Sequence, residues 1–574
     1  MFLWTGLLVI QGLLPIATVY LTRILVDDLV AVMGAGTIWP AARPLLLCVA
    51  AVAAVMLLDE IAEGLIEWTR TQQAELVKDH IAGLIHQKSI SVDMAYYESP
   101  EYHDHMFRAQ QEAQYRPVTL IEQAGAIFQN MITLIAMTAV LIPLGAWLPV
   151  VLLISTVPAL YVVLRHGARM HESRVRMTAD ERRAWYYNWL LTNVVPASEI
   201  RIMALGDYFM QAYRGVRGRL RKESLRLERA AGLGELSAAV FGLLITAGAM
   251  GWMVWRAILG EISLGVLAFF YQAFTRGQGL MSNLLHNLGQ IYGNTLFLGD
   301  LFEFLGLETR IRDPRQPRPA PTVLRHGIAF KNVTFRYPNG RRDVLRGLDL
   351  FIPAGKMVAV VGENGAGKTT LIKLVCRLYD PEQGGVELDG VDIRTLSVPE
   401  LRRLVAVLFQ EPVQYSASVA ENIALGDLAG APSRQAIEAA ARAAGADGPV
   451  ARLPEGYDTL LGKWFAGGTE LSVGEWHRLA LARAFLRQAP IMLLDEPTSA
   501  MDSWAEASWM DRFRDLAAGR TTLLITHRFT TAMRADIIHV MQQGRVVECG
   551  THAELLSAGG RYATSWIAQM QERG

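Results

Sequence analysis

Six apolar stretches lie before residue 300, at about 2–22, 42–66, 122–146, 147–166, 233–256 and 262–286. Each is close to the roughly 20 residues that a helix needs to cross a bilayer. In lipid, backbone polar groups have to be satisfied within the segment or in a closed barrel, so stretches of this length predict helices. The first begins at Met1 with no charged leader and no small-residue cleavage pattern, and reads as a span rather than a cleaved signal peptide. At 310–327 the text changes to "RIRDPRQPRPAPTVLRHG", rich in Pro and Arg and without helical patterning. That segment marks a linker between an all-α six-helix transmembrane domain at 1–309 and a second domain at 328–574.

Positive charge orients the first domain. Lys78, Lys88, Arg108, Arg169, Arg174, Arg176, Arg182, Arg183, Arg217, Arg219, Arg221 and Lys222 crowd the segments 67–116 and 165–230, whereas the opposite loop "GAWLP" (145–149) carries none. The positive-inside rule puts the long segments, and both ends of the domain, in the cytoplasm. They are rich in helix formers and read as continuations of the spans, each broken by a turn: "YYESPEYHDHMF" (96–107) and "VVPASEIRIMALGDYF" (194–209). Asp59, Glu60 and Glu63 fall inside the second span, on one helix face by their spacing. Charge at that depth reads either as a wet cavity for a cationic or amphipathic substrate or as the end of the span and pairing with a neighbouring helix.

Zero formal net charge over 574 residues gives no electrostatic case for nucleic-acid binding. Cys48, Cys376 and Cys549 are too far apart in sequence for a C-x-x-C pair, so neither a disulfide framework nor a zinc site is indicated.

The second domain carries the chemistry. "KMVAVVGENGAGKTTLIKLV" (356–375) is an apolar strand, then Gly362-x-x-x-x-Gly367-Lys368-Thr369, then a helical pattern. In this context Gly362, Glu363, Asn364, Gly365, Ala366 and Gly367 form a phosphate-cradling loop, whose backbone N–H groups point at the anion. Lys368 brings a point charge, Thr369 a hydroxyl for Mg²⁺, and Thr370 extends the helix start. "IMLLDEPTSAMD" (491–502) ends a second strand in Asp495, suited to the outer shell of Mg²⁺, and Glu496, suited to polarise a water for in-line attack.

With these motifs in this order the chain resembles an ATP-binding cassette transporter of the six-helix exporter type, a half-transporter with fused membrane and nucleotide domains. The resemblance covers nearly the whole length and implies an α/β P-loop domain with a helical subdomain, ATP and Mg²⁺ as ligands, and a second half-transporter as partner. It implies that Tyr337 in "VTFRYPNG" stacks on adenine, that Gln410 in "VLFQEP" links Mg²⁺ to the membrane domain, and that His527 in "LLITHR" is the switch histidine. It further implies that Asp502 contacts the opposite subunit and that the two turns are coupling helices riding on the nucleotide domains.

"ELSVGEW" (470–476) stands where the family carries its LSGGQ signature, which closes over ATP held by the other subunit. Ser472 and Glu475 have capping-box spacing, so a helix is predicted to begin here and offer its positive end to an anion. Gly474 is retained; Val473 and Glu475 depart from the common form. Valine narrows the approach, and Glu475 repels phosphate unless capping draws it back to Ser472. A homodimer is the first expectation, and a heterodimer with one degenerate site the alternative.

ATP-driven export of a peptide, amphipathic small molecule or lipid by alternating access is therefore the expected function, in a bacterial inner or plasma membrane. The segment 461–485 resembles exporters of peptide antibiotics. An importer on the same fold and an ATP-binding membrane regulator or channel are the alternatives. A soluble cassette ATPase of DNA repair or translation is disfavoured by the spans.

Overall fold

The computed structural model describes residues 2–34, 38–99, 106, 116–498, 513–514 and 516–571. Contacts divide the chain into two compact units, one of residues 1–91 and 100–307, the other of 92–99 and 308–574. The second unit thus takes in a short segment that sequence assigns to the interior of the membrane domain.

Six long helices build the first unit: α1 (Phe2–Gly34), α2 (Ile38–Ser91), α4 (Arg116–Leu141), α5 (Leu148–Thr192), α7 (Gly206–Ile258) and α8 (Leu264–Leu305). Two short helices follow α2 and α5: α3 (Met94–Tyr97), in the second unit, and α6 (Val194–Ile202), in the first. At 1.5 Å per residue, the 54-residue α2 is about 80 Å long, far more than a bilayer requires, so the expected continuation of the spans is observed. Among the described residues, five helices are apolar and long enough to cross a membrane, and only 11–22% of their most apolar stretches is buried within the chain, which leaves most of that surface to lipid or a partner. The sixth expected span is a helix too. Its apolar side chains Phe269, Phe270, Ala273 and Phe274 are buried, while Gln272, Arg276 and Gln278 dilute its overall hydropathy.

Close helix contacts rest on small residues and satisfied backbone. A Cβ on Gly289 of α8 would meet Val163 of α5 at 2.3 Å, and one on Gly125 of α4 would meet Trp4 at 2.5 Å. At the start of α8, Ser263 caps Val266, and the Asp27 carboxylate from α1 accepts from the Gly265 N–H at 3.0 Å. Asp59 is half-buried and Glu60 and Glu63 are exposed on α2, which continues beyond them to Ser91.

The second unit is α/β. A four-stranded antiparallel sheet runs β2 (Leu345–Pro353), β1 (Gly327–Phe335), β4 (Gln383–Leu388), β5 (Val391–Asp392). A six-stranded sheet runs β10 (Arg545–Gly550), β9 (Ile537–Gln542), β3 (Met357–Gly362), β8 (Thr521–Ile525), β7 (Ile491–Asp495), β6 (Val405–Leu408). All neighbours in the larger sheet are parallel except β10. Strands β7 and β8 are buried at every residue, as parallel strands covered on both faces must be. One core packs the two sheets around α9 (Lys368–Val375); another packs the opposite face of the larger sheet against α10 (Arg434–Ala444) and α11 (Val473–Leu486), which form the helical part.

Leu524 sits fully buried on β8, between β3 and β7. Leu524→Ala is expected to destabilise the nucleotide unit by about 2–5 kcal/mol through lost burial and a residual cavity. A denaturation midpoint of the detergent-solubilised full chain that matches the parent would contradict this packing.

Candidate functional site

Parallel strands release their following loops at one edge of the sheet, and ligands of open α/β sheets bind there. Register makes four strand ends nearly level: Leu408 lies opposite Leu494, Asp495 opposite Ile525, and Ile525 opposite Val360. The loop from Gly362 follows β3, Asp495 and Glu496 end β7, His527 follows β8 by two residues, and Gln410 follows β6 by two. Residues spread over 165 positions of sequence, from Gly362 to His527, are thereby gathered on one edge.

The glycines of the loop have backbone reasons. Gly362, Gly365 and Gly367 have φ of 148°, 80° and 95°, and a Cβ at Gly362 would lie 2.2 Å from the Met541 carbonyl oxygen. Glu363, Asn364 and Gly365 form the exposed tip, and Ala366 is buried under it. The Lys368 ammonium donates to the carbonyls of Gly362 (2.7 Å) and Glu363 (2.9 Å) and so lies folded back across the mouth of the loop. Burial lowers its pKa, opposed by the carboxylates of Glu496 and Asp495.

Burial pushes the Asp495 carboxyl up to about 6, against a hydrogen bond from Thr369 that pulls it down. Its Oδ2 is buried and has no hydrogen-bond partner among the described residues. An orphaned carboxylate oxygen beside a threonine hydroxyl offers hard oxygen donors that fit a hydrated divalent cation, and the nearby Lys368 ammonium suits the polyphosphate that would carry it. The next residue, Glu496, is held at φ 52°, a left-handed conformation that costs a non-glycine residue about 1 kcal/mol or more. Its N–H bonds the Ile525 carbonyl at 2.9 Å, and its Oε2 lies 3.2 Å from His527 Nδ1. The glutamate is nearly buried while the histidine is half exposed, so the pair faces outward from the strand ends. Gln410 is exposed.

Tyr337, half-buried, bonds Thr370 through its hydroxyl at 3.0 Å and packs edge-to-face on Phe335 and Tyr379. Asp502 lies outside the described residues.

At the signature, the predicted capping box is present: Ser472 Oγ accepts from the Glu475 N–H, and Glu475 Oε2 accepts from the Ser472 N–H at 2.9 Å. Arg452 adds a contact to Glu475 Oε1 at 2.9 Å. The carboxylate is thus drawn back onto its own helix start, and the Ser472 hydrogen bond lowers its pKa. Val473 is 73% exposed. His477, two residues beyond Glu475, is buried and hydrogen-bonded to the backbone of Pro497, the residue after Glu496; burial lowers its pKa. The roles of Arg452, His477 and the neighbours of Tyr337 have no signal in sequence, because each depends on contacts between distant segments.

A nucleotide-hydrolysing P-loop domain fused to membrane-crossing helices is the class that this fold and site define. Residues 345–499 match the family model described as ABC transporter. The subtilin transport ATP-binding protein SpaT of Bacillus subtilis is 28% identical over 572 residues, covering 99% of this chain and 92% of that protein. The nisin transport ATP-binding protein NisT of Lactococcus lactis subsp. lactis is 28% identical over 84% of this chain and 80% of its own. An ATP-dependent lipid A-core flippase of Aromatoleum aromaticum is 40% identical over 54% of this chain, and the match spans 51% of that relative. A bacterial Atm1-family ABC exporter solved with ATP bound superposes with a TM-score of 0.87 and 26% identity, over 99% of this chain and 98% of that one. Residues 345–499 are an ABC transporter domain, and along nearly its whole length the chain is similar to exporter-type half-transporters, in which such an ATPase drives transport across a membrane.

Glu475→Ala is expected to cost about 1 kcal/mol of stability through loss of the reciprocal cap. Because the folded-state pKa is lowered, this contribution is present above the ordinary value of 4.5 and is lost as pH falls through the folded pKa. Parent and variant unfolding midpoints should therefore differ at neutral pH and converge in acid; a gap independent of pH would argue that the carboxylate does not cap.

Proposed function

We propose that the strand-end edge binds and hydrolyses Mg-ATP with the following division of labour. Backbone N–H groups of residues 362–367 and the Lys368 ammonium hold the β- and γ-phosphates. Thr369 and Asp495 hold Mg²⁺, Asp495 through water, and Gln410 approaches the same ion. When bound, Mg²⁺ neutralises charge that develops on the transferred phosphoryl group. Glu496 accepts a proton from, or orients, the attacking water, and His527 fixes the glutamate and faces the γ-phosphate. Tyr337 stacks on adenine. The observation that supports this reading is the convergence of Lys368, Asp495, Glu496 and His527 at the level ends of neighbouring parallel strands.

The ATPase site is completed by a second half-transporter. Ser472, Val473, Gly474 and Glu475 face ATP held by that partner, and Asp502 contacts it. A homodimer is the simpler assembly; the exposed Val473 at the first turn of α11 favours, as a second reading, a heterodimer in which this signature faces a weak site. Nucleotide domains lie in the cytoplasm of a bacterial cell, the turns at 96–107, most of which lies outside the described residues, and at 194–209 transmit closure to the helices, and alternating access exports a peptide, amphipathic small molecule or lipid. Resemblance to proteins named for subtilin and nisin transport favours a peptide. Asp59, Glu60 and Glu63 are candidates for contact with a cationic group of the cargo.

Mg-ATP hydrolysis by this chain purified alone in lipid tests the assembly. Turnover that drops about 100-fold or more in Glu496→Gln, and equally on chelation of divalent cations, is the expected result for a homodimer. Turnover no greater than that of Glu496→Gln, from a folded preparation that binds ATP, would identify a missing partner. Val473→Gly is expected to raise turnover without loss of fold; no change would show that the valine does not obstruct closure.

A further inference from the structure

The segment 92–99 packs as part of the nucleotide unit. Asp93 accepts from the backbone N–H groups of Arg310 and Ile311, Ala95 packs on the core beneath the smaller sheet, and Asn339 donates to the Glu98 carbonyl at 3.2 Å. The Glu98 carboxylate is 3.2 Å from the ammonium of Lys373, which stands on α9 five residues after Lys368. That same ammonium lies 4.9 Å from the centre of the Tyr337 ring and 5.7 Å from that of Tyr379. Tyr337 is tied by its hydroxyl to Thr370, the neighbour of Thr369. Burial and the facing Glu98 push the Tyr379 phenol well above its ordinary value, so Tyr379 stays neutral and presents a π face to the cation.

One cation thus serves two partners of different kinds, a carboxylate on the turn that continues from α2 and an aromatic ring at the nucleotide site. We propose that Lys373 is a positioning residue that ties occupancy of Tyr337 to the setting of the turn at Glu98. The inference rests on the reading of Tyr337 as the residue that stacks on adenine. A base on Tyr337 alters the electron density and access that the ammonium meets at the ring, and shifts the division of Lys373 between ring and carboxylate. Linkage makes the effect reciprocal: a turn held by Lys373 changes nucleotide affinity by the same factor by which nucleotide changes the hold on the turn. A plain latch between Glu98 and Lys373 has no such dependence, because any opposite charges close it.

The discriminating experiment places a nitroxide on the turn at Met94→Cys in the full chain in lipid nanodiscs. Cys549, the exposed cysteine, is replaced by Ser, and Glu496→Gln holds ATP unhydrolysed. ATP is expected to change the mobility of the label in the parent and in Lys373→Arg. The change should shrink about threefold or more in Lys373→Met, with a comparable rise in the ATP concentration for half-saturation. It should stay small in the exchange Glu98→Lys with Lys373→Glu, which restores an ion pair but sets a carboxylate against the two rings. An exchange that responds like the parent, or a full response in Lys373→Met, overturns the inference. Tyr337→Leu separates its foundation: unchanged half-saturation overturns both the stacking role and the inference. Raised half-saturation in Tyr337→Leu, with a full response retained in Lys373→Met, overturns the inference alone.

Discussion

The parallel register of β3, β8, β7 and β6 is the constraint on which the rest of the nucleotide unit depends. Parallel strands that pair residue for residue end together, and whatever follows them has to share an edge. Asp495 opposite Ile525, and Ile525 opposite Val360, bring the glycine-rich loop, the Asp495–Glu496 pair and a histidine to that edge, although the three lie far apart in sequence. The strands can hold the register because they are mainly apolar and almost wholly buried, β7 and β8 at every residue. Site and core are therefore one object, and a defect in packing at β8 reaches the chemistry through the strand ends.

Burial at this edge moves a cation and an anion in opposite directions. Lys368 is pulled down and Asp495 is pushed up to about 6, each toward neutrality, and each opposed by the other's charge. A site that has withdrawn its charges from water in this way is preorganised for a ligand that brings both signs, as a polyphosphate with its divalent cation does. The left-handed backbone at Glu496 belongs to the same economy of position: it turns the carboxylate off the strand toward His527 instead of into the sheet. At the signature the capping box does the converse. It consumes Glu475 internally, which removes the repulsion that its charge would otherwise present and leaves the valine as the departure with a free surface.

The two turns of the long helices are built differently. The turn at 94–97 has Asp93 and Glu98 fixed to backbone and side chains of the nucleotide unit. The turn at 194–202 starts from an Asn193 cap and exposes the apolar side chains of Val194, Val195, Ile202 and Met203. Sequence marks both turns by breakers in otherwise helical text, Pro100 in the first and Pro196 with Gly206 in the second. Only contacts distinguish one that is seated from one that is bare.

Sequence by itself determined the division into lipid-facing helices and an α/β domain, because bilayer thickness and backbone satisfaction leave apolar stretches of that length one solution. It also determined the phosphate loop and the signature cap, whose residues act on their own local backbone over a handful of positions. Tertiary structure decided everything that joins distant segments: which strand ends are level, that Glu496 meets His527, that His477 reaches the backbone of Pro497, and that Lys373 stands between Glu98 and Tyr337. It likewise decided that α8 buries Phe269, Phe270, Ala273 and Phe274 in the helical core, which average hydropathy along a stretch cannot reveal. Local rules read along the chain, whereas register, burial and shared partners exist only once the chain has returned to itself.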